Sequence, residues 1–353
     1  MGKEIIMEMK KEKKENEGEA KTKKYRILSG MRPTGALHVG HLKSVIEEWI
    51  KFQEEKHKCF FLVADLHALT TDWEDSKSIR KNSLEMVKDW LAAGISPEKS
   101  VIFLQSDVPE HTELFTILGM ITPMGLLERN PTYKEALEEF GDKERLLNLG
   151  FFSYPVLQTA DILLYKAEKV PVGKDQIPHI EIARDIAEKF NRIFGNVFPL
   201  PEPVLSESPK ILGSDGRKMS KSYNNAIFLT ENINRIKEKV MTYMTDTARK
   251  TRKDPGEPER CPLYTLHRVF SPKNDRDYVE SGCRTAQIGC IDCKKVLLKN
   301  MIPEIEKLQK KREEIGKRDD FVIDVLKEGG KKAKEFAQST MEEVRRAVFP
   351  LYD

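Results

Sequence analysis

The sequence predicts an α/β fold, a parallel sheet covered by helices, followed by an all-helical unit. Three observations carry that expectation. The run Cys59-Phe60-Phe61-Leu62-Val63-Ala64 is continuously apolar and of strand length, as in a strand buried on both faces. It is preceded by a second short apolar segment, Tyr25–Gly30, and by a helical period at Leu42, Val45, Ile46, Trp49 and Phe52. Strand, crossover helix, strand is the unit that builds parallel sheets. Beyond about Leu229 the apolar pattern becomes mainly helical.

Residues 1–24 are Lys, Glu and small polar groups without an apolar stripe, and read as a solvated tail. The strand at Tyr25–Gly30 ends in the turn Arg32-Pro33-Thr34-Gly35, and a helix follows over about 40–55. After the strand at 59–64 come a helix at 76–93, a strand at 100–105 and helices within 110–140. Residues 155–166 read as helix, 170–173 as the end of an extended stretch, and 177–190 as an amphipathic helix. Four prolines mark 196–209 as loop. Residues 213–222 form a charged, glycine-containing loop, and helices are expected at 231–245, 294–315, 319–328 and 331–347. The chain therefore divides at about residue 225 into an α/β unit, 25–225, and a helical unit, 226–348.

The 353 residues are 39% hydrophobic and 33% charged, which excludes a wholly disordered chain. A net charge of +3 neither requires nor excludes a nucleic-acid partner, because local patches decide binding. No apolar run is long enough to span a membrane, and no secretory leader is evident, so a cytoplasmic protein is expected. Of five cysteines, Cys59 falls in the apolar strand. Cys261, Cys283, Cys290 and Cys293 cluster with the spacing C-x21-C-x6-C-x2-C. In a reducing compartment four close thiols point to metal, either zinc or an iron–sulfur cluster.

The segment Gly30-Met31-Arg32-Pro33-Thr34-Gly35-Ala36-Leu37-His38-Val39-Gly40-His41 follows the first strand and opens a helix. That is the carboxyl edge of the sheet, where a helix amino terminus suits phosphate. Two imidazoles three residues apart can reach one phosphate group, and Gly40 admits a flat ring. The glycine spacing matches neither a dinucleotide fingerprint nor a P-loop. The loop Lys218-Met219-Ser220-Lys221-Ser222 supplies two ammonium groups that can neutralise charge on a leaving pyrophosphate.

His38-Val39-Gly40-His41 and Lys218-Met219-Ser220-Lys221-Ser222, in that order, resemble the two signatures of class I aminoacyl-tRNA synthetases. The stretch Tyr154–Tyr165, the stretch Val170–Gln176 and the segment Asp65-Leu66-His67-Ala68-Leu69-Thr70 resemble tryptophanyl-tRNA synthetases. This resemblance covers nearly everything from Tyr25 onward. It implies a Rossmann-like catalytic domain, an anticodon-binding helical domain, a homodimer with its interface after Asp72, and tRNA(Trp), L-tryptophan, ATP and Mg2+ as partners. Tryptophanyl-adenylate would form first, and the 2′-hydroxyl of the terminal ribose would then accept the aminoacyl group.

The resemblance implies phosphate stabilisation by His38, His41, Lys218 and Lys221. Gly30, Arg32, Thr34, Gly40, Gly173, Asp175, Gln176, Met219 and Ser220 would hold ATP, with Asp175 on ribose. Leu28, His67, Gln158, Val170 and Val172 would surround the side chain, and Tyr154 and Gln176 the amino group. Asp161, a carboxylate in an apolar helix, needs a partner, and an indole N–H is donor only. Gln158 with Asp161 also echoes the pair that reads a phenol, so a tyrosine-specific enzyme is the alternative. Lys174 replaces the family's usual Glu. A subset of tryptophan enzymes carries a 4Fe–4S cluster with almost this cysteine spacing, which favours that cluster over zinc.

Overall fold

The computed structural model describes residues 23–140, 148–205, 209–221 and 223–350. Ser222 and most of the expected tail lie outside them. The described residues form five strands, β1 (Arg26–Met31), β2 (Lys58–Val63), β3 (Ser100–Leu104), β4 (Lys169–Val172) and β5 (Glu202–Leu205). All pair in parallel in the order β3-β2-β1-β4-β5, so the order reverses between β1 and β4. Helix α1 is built from Val39–His41, a π-helical turn Leu42–Ile46, and Glu47–Glu54. Next come α2 (Asp65–Asp72), α3 (Ser76–Ala93), α4 (Glu110–Ile121), α5 (Met124–Glu128), α6 (Pro131–Phe140), α7 (Leu149–Leu164) and α8 (Ile177–Phe194). The remaining helices are α9 (Ile233–Thr242), α10 (Pro262–Phe270), α11 (Lys273–Arg284), α12 (Cys290–Gly316) and α13 (Asp319–Val348). A Rossmann-like parallel sheet followed by a helical region is thus the observed architecture. No helix among the described residues is long and apolar enough to cross a membrane.

Side-chain alternation explains the apolar strands. Ile27, Cys59, Phe61, Val63 and Ile102 enter one core with α1, α3 and the carboxyl-terminal helices. Leu28, Phe60, Leu62 and Phe103 enter the other, with α4, α7 and α8. Both sheet faces are covered, so neither register can be polar. Cys59 is 1% exposed, and burial pushes its thiol up to about 12, an inert core position.

The structure corrects four expectations. Residues 202–205 are not loop but the edge strand β5. Its Pro203 is tolerated because β5 pairs only with β4. Helix α7 starts at Leu149, not near 155; Asn148 caps it by accepting the Phe151 N–H at 2.9 Å, and Pro155 lies within it. Helix α12 starts at Cys290, and α10 and α11, not foreseen in the sequence, fill 262–284. The two helices expected at 319–328 and 331–347 are one, α13, which runs through Gly329 and Gly330. A Cβ on Gly329 would lie 1.8 Å from the Ile102 carbonyl oxygen, so the glycine is there for close packing on β3, not for a break.

Candidate active site

A cavity of about 480 Å³ opens where β1 and β4 diverge, beyond their carboxyl ends. This is the position at which open parallel sheets bind ligands. Leu28, Gly30, Arg32, His41, His67, Tyr154, Gln158, Asp161, Val170, Val172, Gly173 and Gln176 line it. Every residue expected around the amino acid is therefore in its wall. Tyr154, Gln158 and Asp161 reach it together because spacings of four and three put them on one face of α7.

Asp161 is buried and takes three hydrogen bonds from protein donors. Its Oδ1 accepts from Gln105 Nε2 at 2.7 Å and from His111 Nδ1 at 2.6 Å, and its Oδ2 from His67 Nε2 at 2.8 Å. Burial alone would raise this carboxyl, but His111 and His67 outweigh burial and bring it down to about 2. At neutral pH it is a carboxylate, an acceptor only. His179 organises the amino-group candidates. Its Nδ1–H donates to Gln176 Oε1 at 2.8 Å, and its Nε2 accepts from the Tyr154 hydroxyl at 2.6 Å and from Asn130 Nδ2 at 3.0 Å. Burial lowers His179 to about 4, so this neutral tautomer persists. Gln176 Oε1 and the Tyr154 oxygen keep lone pairs that can accept from an ammonium group.

The two signature segments meet beside the cavity. His38 Nδ1 accepts the Gly40 N–H at 3.1 Å, and His41 Nδ1 accepts the His38 N–H at 3.3 Å. Each imidazole thus carries its proton on Nε2 and offers it as a donor. Burial lowers His38 to about 4 and His41 well below its usual value, with Lys221 adding to both, so neither is charged near pH 7. Positive charge must come from the lysines. Lys221 Nζ lies 3.7 Å from where a Gly35 Cβ would stand, and Met219 Sδ 3.8 Å from the same position on Gly40. The His38 ring itself covers Gly40, at 2.8 Å.

Lys218 Nζ stands 3.5 Å from Asp175 Oδ2, and Gly173 leaves room for that carboxylate, whose Oδ1 a Cβ would approach to 2.6 Å. Asn225 braces the lysine loop: it accepts the Ser220 N–H at 2.8 Å and donates to Asp215 and the Lys218 carbonyl. Arg32 lines the cavity, yet its guanidinium is held by Thr71 and Asp72. Thr34 and Lys174 are exposed. His38, Thr34, Gly40, Asp175, Lys218, Met219, Ser220 and Lys221 are outside the cavity wall proper. Gln105, His111, Asn130 and Asn225 were not singled out in the sequence. A histidine beside an otherwise apolar helix, at 111, was the one available signal.

The four clustered cysteines sit on helix ends: Cys261 before α10, Cys283 near the end of α11, Cys290 and Cys293 in the first turn of α12. Arg249 Nη1 is 3.9 Å from both Cys283 Sγ and Cys290 Sγ, and Cys293 Sγ is 3.3 Å from His267 Nε2. Burial, and then the charge of the other three thiols, pushes Cys293 up to about 12. The thiols therefore converge. Even so, no group of three or more His, Cys, Asp or Glu among the described residues stands close enough to hold a metal ion. Of the basic residues nearby, Arg260 and Arg284 are paired with acids and Lys294 is buried against the Met241 carbonyl, whereas Lys250, Lys253 and Lys295 are exposed.

A family model described as tRNA synthetases class I (W and Y) matches residues 20–304. The tryptophan–tRNA ligase of Thermotoga maritima is 51% identical over 324 residues, spanning 92% of this chain and 98% of that protein. That of Aquifex aeolicus is 42% identical over 392 residues, spanning 92% and 99%. The crystal structure of tryptophanyl-tRNA synthetase from Campylobacter jejuni, complexed with ADP and tryptophan, has 35% identity and a TM-score of 0.81, covering 92% of this chain and 99% of that one. A tyrosyl-tRNA synthetase from Archaeoglobus fulgidus, at 19% identity and TM-score 0.64 over 82% and 91% of the chains, shares the fold alone. Family membership and the tryptophan branch of the family are thereby settled together: the chain belongs to the class I tryptophanyl-tRNA synthetases, ligases that use ATP to join L-tryptophan to tRNA(Trp) through a tryptophanyl-adenylate.

Proposed function

We propose that tryptophan lies in the cavity with its indole N–H on Asp161 Oδ2 and its ammonium group on Tyr154 and Gln176. The observation that supports this reading is the buried, ionised Asp161 in a wall that also presents the apolar Leu28, Val170 and Val172. Apolar walls favour ring burial, and the acceptor penalises a ring with no donor to offer. The substrate carboxylate is already ionised, so attack on the α-phosphorus of ATP requires positioning and charge stabilisation, not a general base. The carboxylate oxygen bonds to phosphorus as the bond to pyrophosphate breaks. His38 and His41 would donate Nε2–H to the phosphates, and Lys218 and Lys221 would neutralise the leaving group. Mg2+ would ride on phosphate oxygens, and Asp175, Gly173, Met219 and Ser220 would hold the nucleoside. Pyrophosphate exchange with Asp161→Ala tests the site: tryptophan kcat/KM should drop by about a hundredfold. A wild-type value would remove Asp161 from this role.

We further infer that residues 226–348 bind the anticodon and that Cys261, Cys283, Cys290 and Cys293 hold a 4Fe–4S cluster. The sequence spacing C-x21-C-x6-C-x2-C has a single close pair, where zinc sites often use two, and so supports a cluster over zinc. Arg249, between Cys283 and Cys290, would offset thiolate charge. An apolar groove lined by Leu66, Leu69, Trp73, Phe115 and Leu157 supports a homodimer interface after Asp72. Such an enzyme would work in the cytoplasm.

A further inference from the structure

Behind the indole pocket, in contact with its wall at Asp161 and His67, lies a set of buried polar groups. His111, Gln105 and Tyr165 are all fully buried, and none of the three lines the cavity. Gln105 and His111 bond Asp161 directly, and Tyr165 bonds His111. We propose that His111, Gln105 and Tyr165 are positioning residues that fix the one open acceptor direction of Asp161, and so set the preference for a ring bearing N–H over a ring of the same shape without it. The inference rests on the reading that Asp161 takes the indole N–H.

Most acceptor sites of Asp161 are already taken. An ionised carboxylate offers about four lone-pair directions. Gln105 and His111 occupy both on Oδ1, and His67 occupies one on Oδ2. One direction remains, on the oxygen shared with His67, and His67 is a cavity residue. With Oδ1 clamped by two donors the carboxylate cannot rotate to present another edge. The clamp is itself fixed. Tyr165 lies one turn beyond Asp161 on the same chain segment, and its hydroxyl is 2.8 Å from His111 Nε2. Burial, with Asp161 and Glu110 adding to it, keeps the Tyr165 phenol protonated, so it donates to Nε2 and holds the histidine proton on Nδ1, facing Asp161. Gln105 is held in turn: its Oε1 accepts the His67 main-chain N–H at 3.3 Å. Charge-assisted donors in a buried site are strong, and loss of one frees the carboxylate to turn.

The test is pyrophosphate exchange by the full chain with L-tryptophan and with β-(3-benzothienyl)-L-alanine, in which sulfur replaces the ring N–H. In the wild type tryptophan is favoured. His111→Leu should lower tryptophan kcat/KM by about tenfold or more, mainly through KM, and leave the sulfur analogue nearly unchanged, so that the ratio falls. His111→Asn, which restores a donor near Nδ1, should recover most of the ratio. Tyr165→Phe deletes one oxygen and should lower the ratio by about threefold. An unchanged ratio in folded His111→Leu or in Tyr165→Phe overturns the inference, and Tyr165→Phe decides if His111→Leu does not fold. Asp161→Ala, which leaves no acceptor at this position, separates the two levels. If it leaves the ratio intact, Asp161 does not read the N–H; if it collapses the ratio while Tyr165→Phe does not, only the positioning role fails.

Discussion

His38 and His41 show what one atom decides. Both spend Nδ1 on a backbone N–H, and both are neutral when buried. The sequence made the pair legible as phosphate-facing, but which nitrogen faces outward depends on helix phase and capping, which only the fold supplies. The neutrality has a measurable sign. Burial brings His38 down to about 4 in the folded chain, against an ordinary value of 6.5. The unfolded chain therefore binds the proton first, so His38's share of stability is complete above pH 6.5 and is lost as pH falls toward 4. Between pH 6.5 and 5 that loss is on the order of 2 kcal/mol. Urea unfolding at the two pH values should show a smaller loss for His38→Asn than for the wild type, and equal losses would contradict the assignment. Asp161 was legible as a buried acceptor in an apolar helix. Its clamp was not, because Gln105 and His111 come from segments 56 and 50 residues away.

At the scale of elements, most strands and helices followed from periodicity, and the failures share a cause. Local signals for breaks, Pro203 and the Gly329-Gly330 pair, were overridden by where the element lies. Pro203 is harmless on an edge, and Gly329 lets α13 touch the β3 backbone. The same substitution should therefore act with opposite sign at two glycines. Gly329→Ala places a methyl 1.8 Å from the Ile102 carbonyl and should cost about 3 kcal/mol. Gly316→Ala, at the end of α12 with nothing within 4 Å, should stabilise by about 0.5 kcal/mol. Thermal melts of both variants provide the comparison.

Across the whole molecule, the cavity at the sheet edge and the four clustered cysteines occupy different parts of one chain. If the thiols organise the tRNA-binding region, Cys290→Ala should reduce aminoacylation of tRNA(Trp) by about tenfold or more while changing pyrophosphate exchange by less than about threefold. Equal losses in the two assays would defeat that division of labour. The cysteine spacing was fully visible in the sequence, whereas the helix ends that gather the thiols, and Arg249 among them, required the fold. Helix α13 ties the two parts together. Val322, Val325 and Leu326 belong to the core on one sheet face, and Ala333, Ala337, Met341 and Val344 to the core on the other, so the helix crosses over the edge at β3 between them. During synthesis that edge emerges from the ribosome more than two hundred residues before its cover. Nascent chains thus carry a bare, strongly apolar strand for most of their translation, which makes this border the place where chaperones or premature aggregation would compete with correct folding.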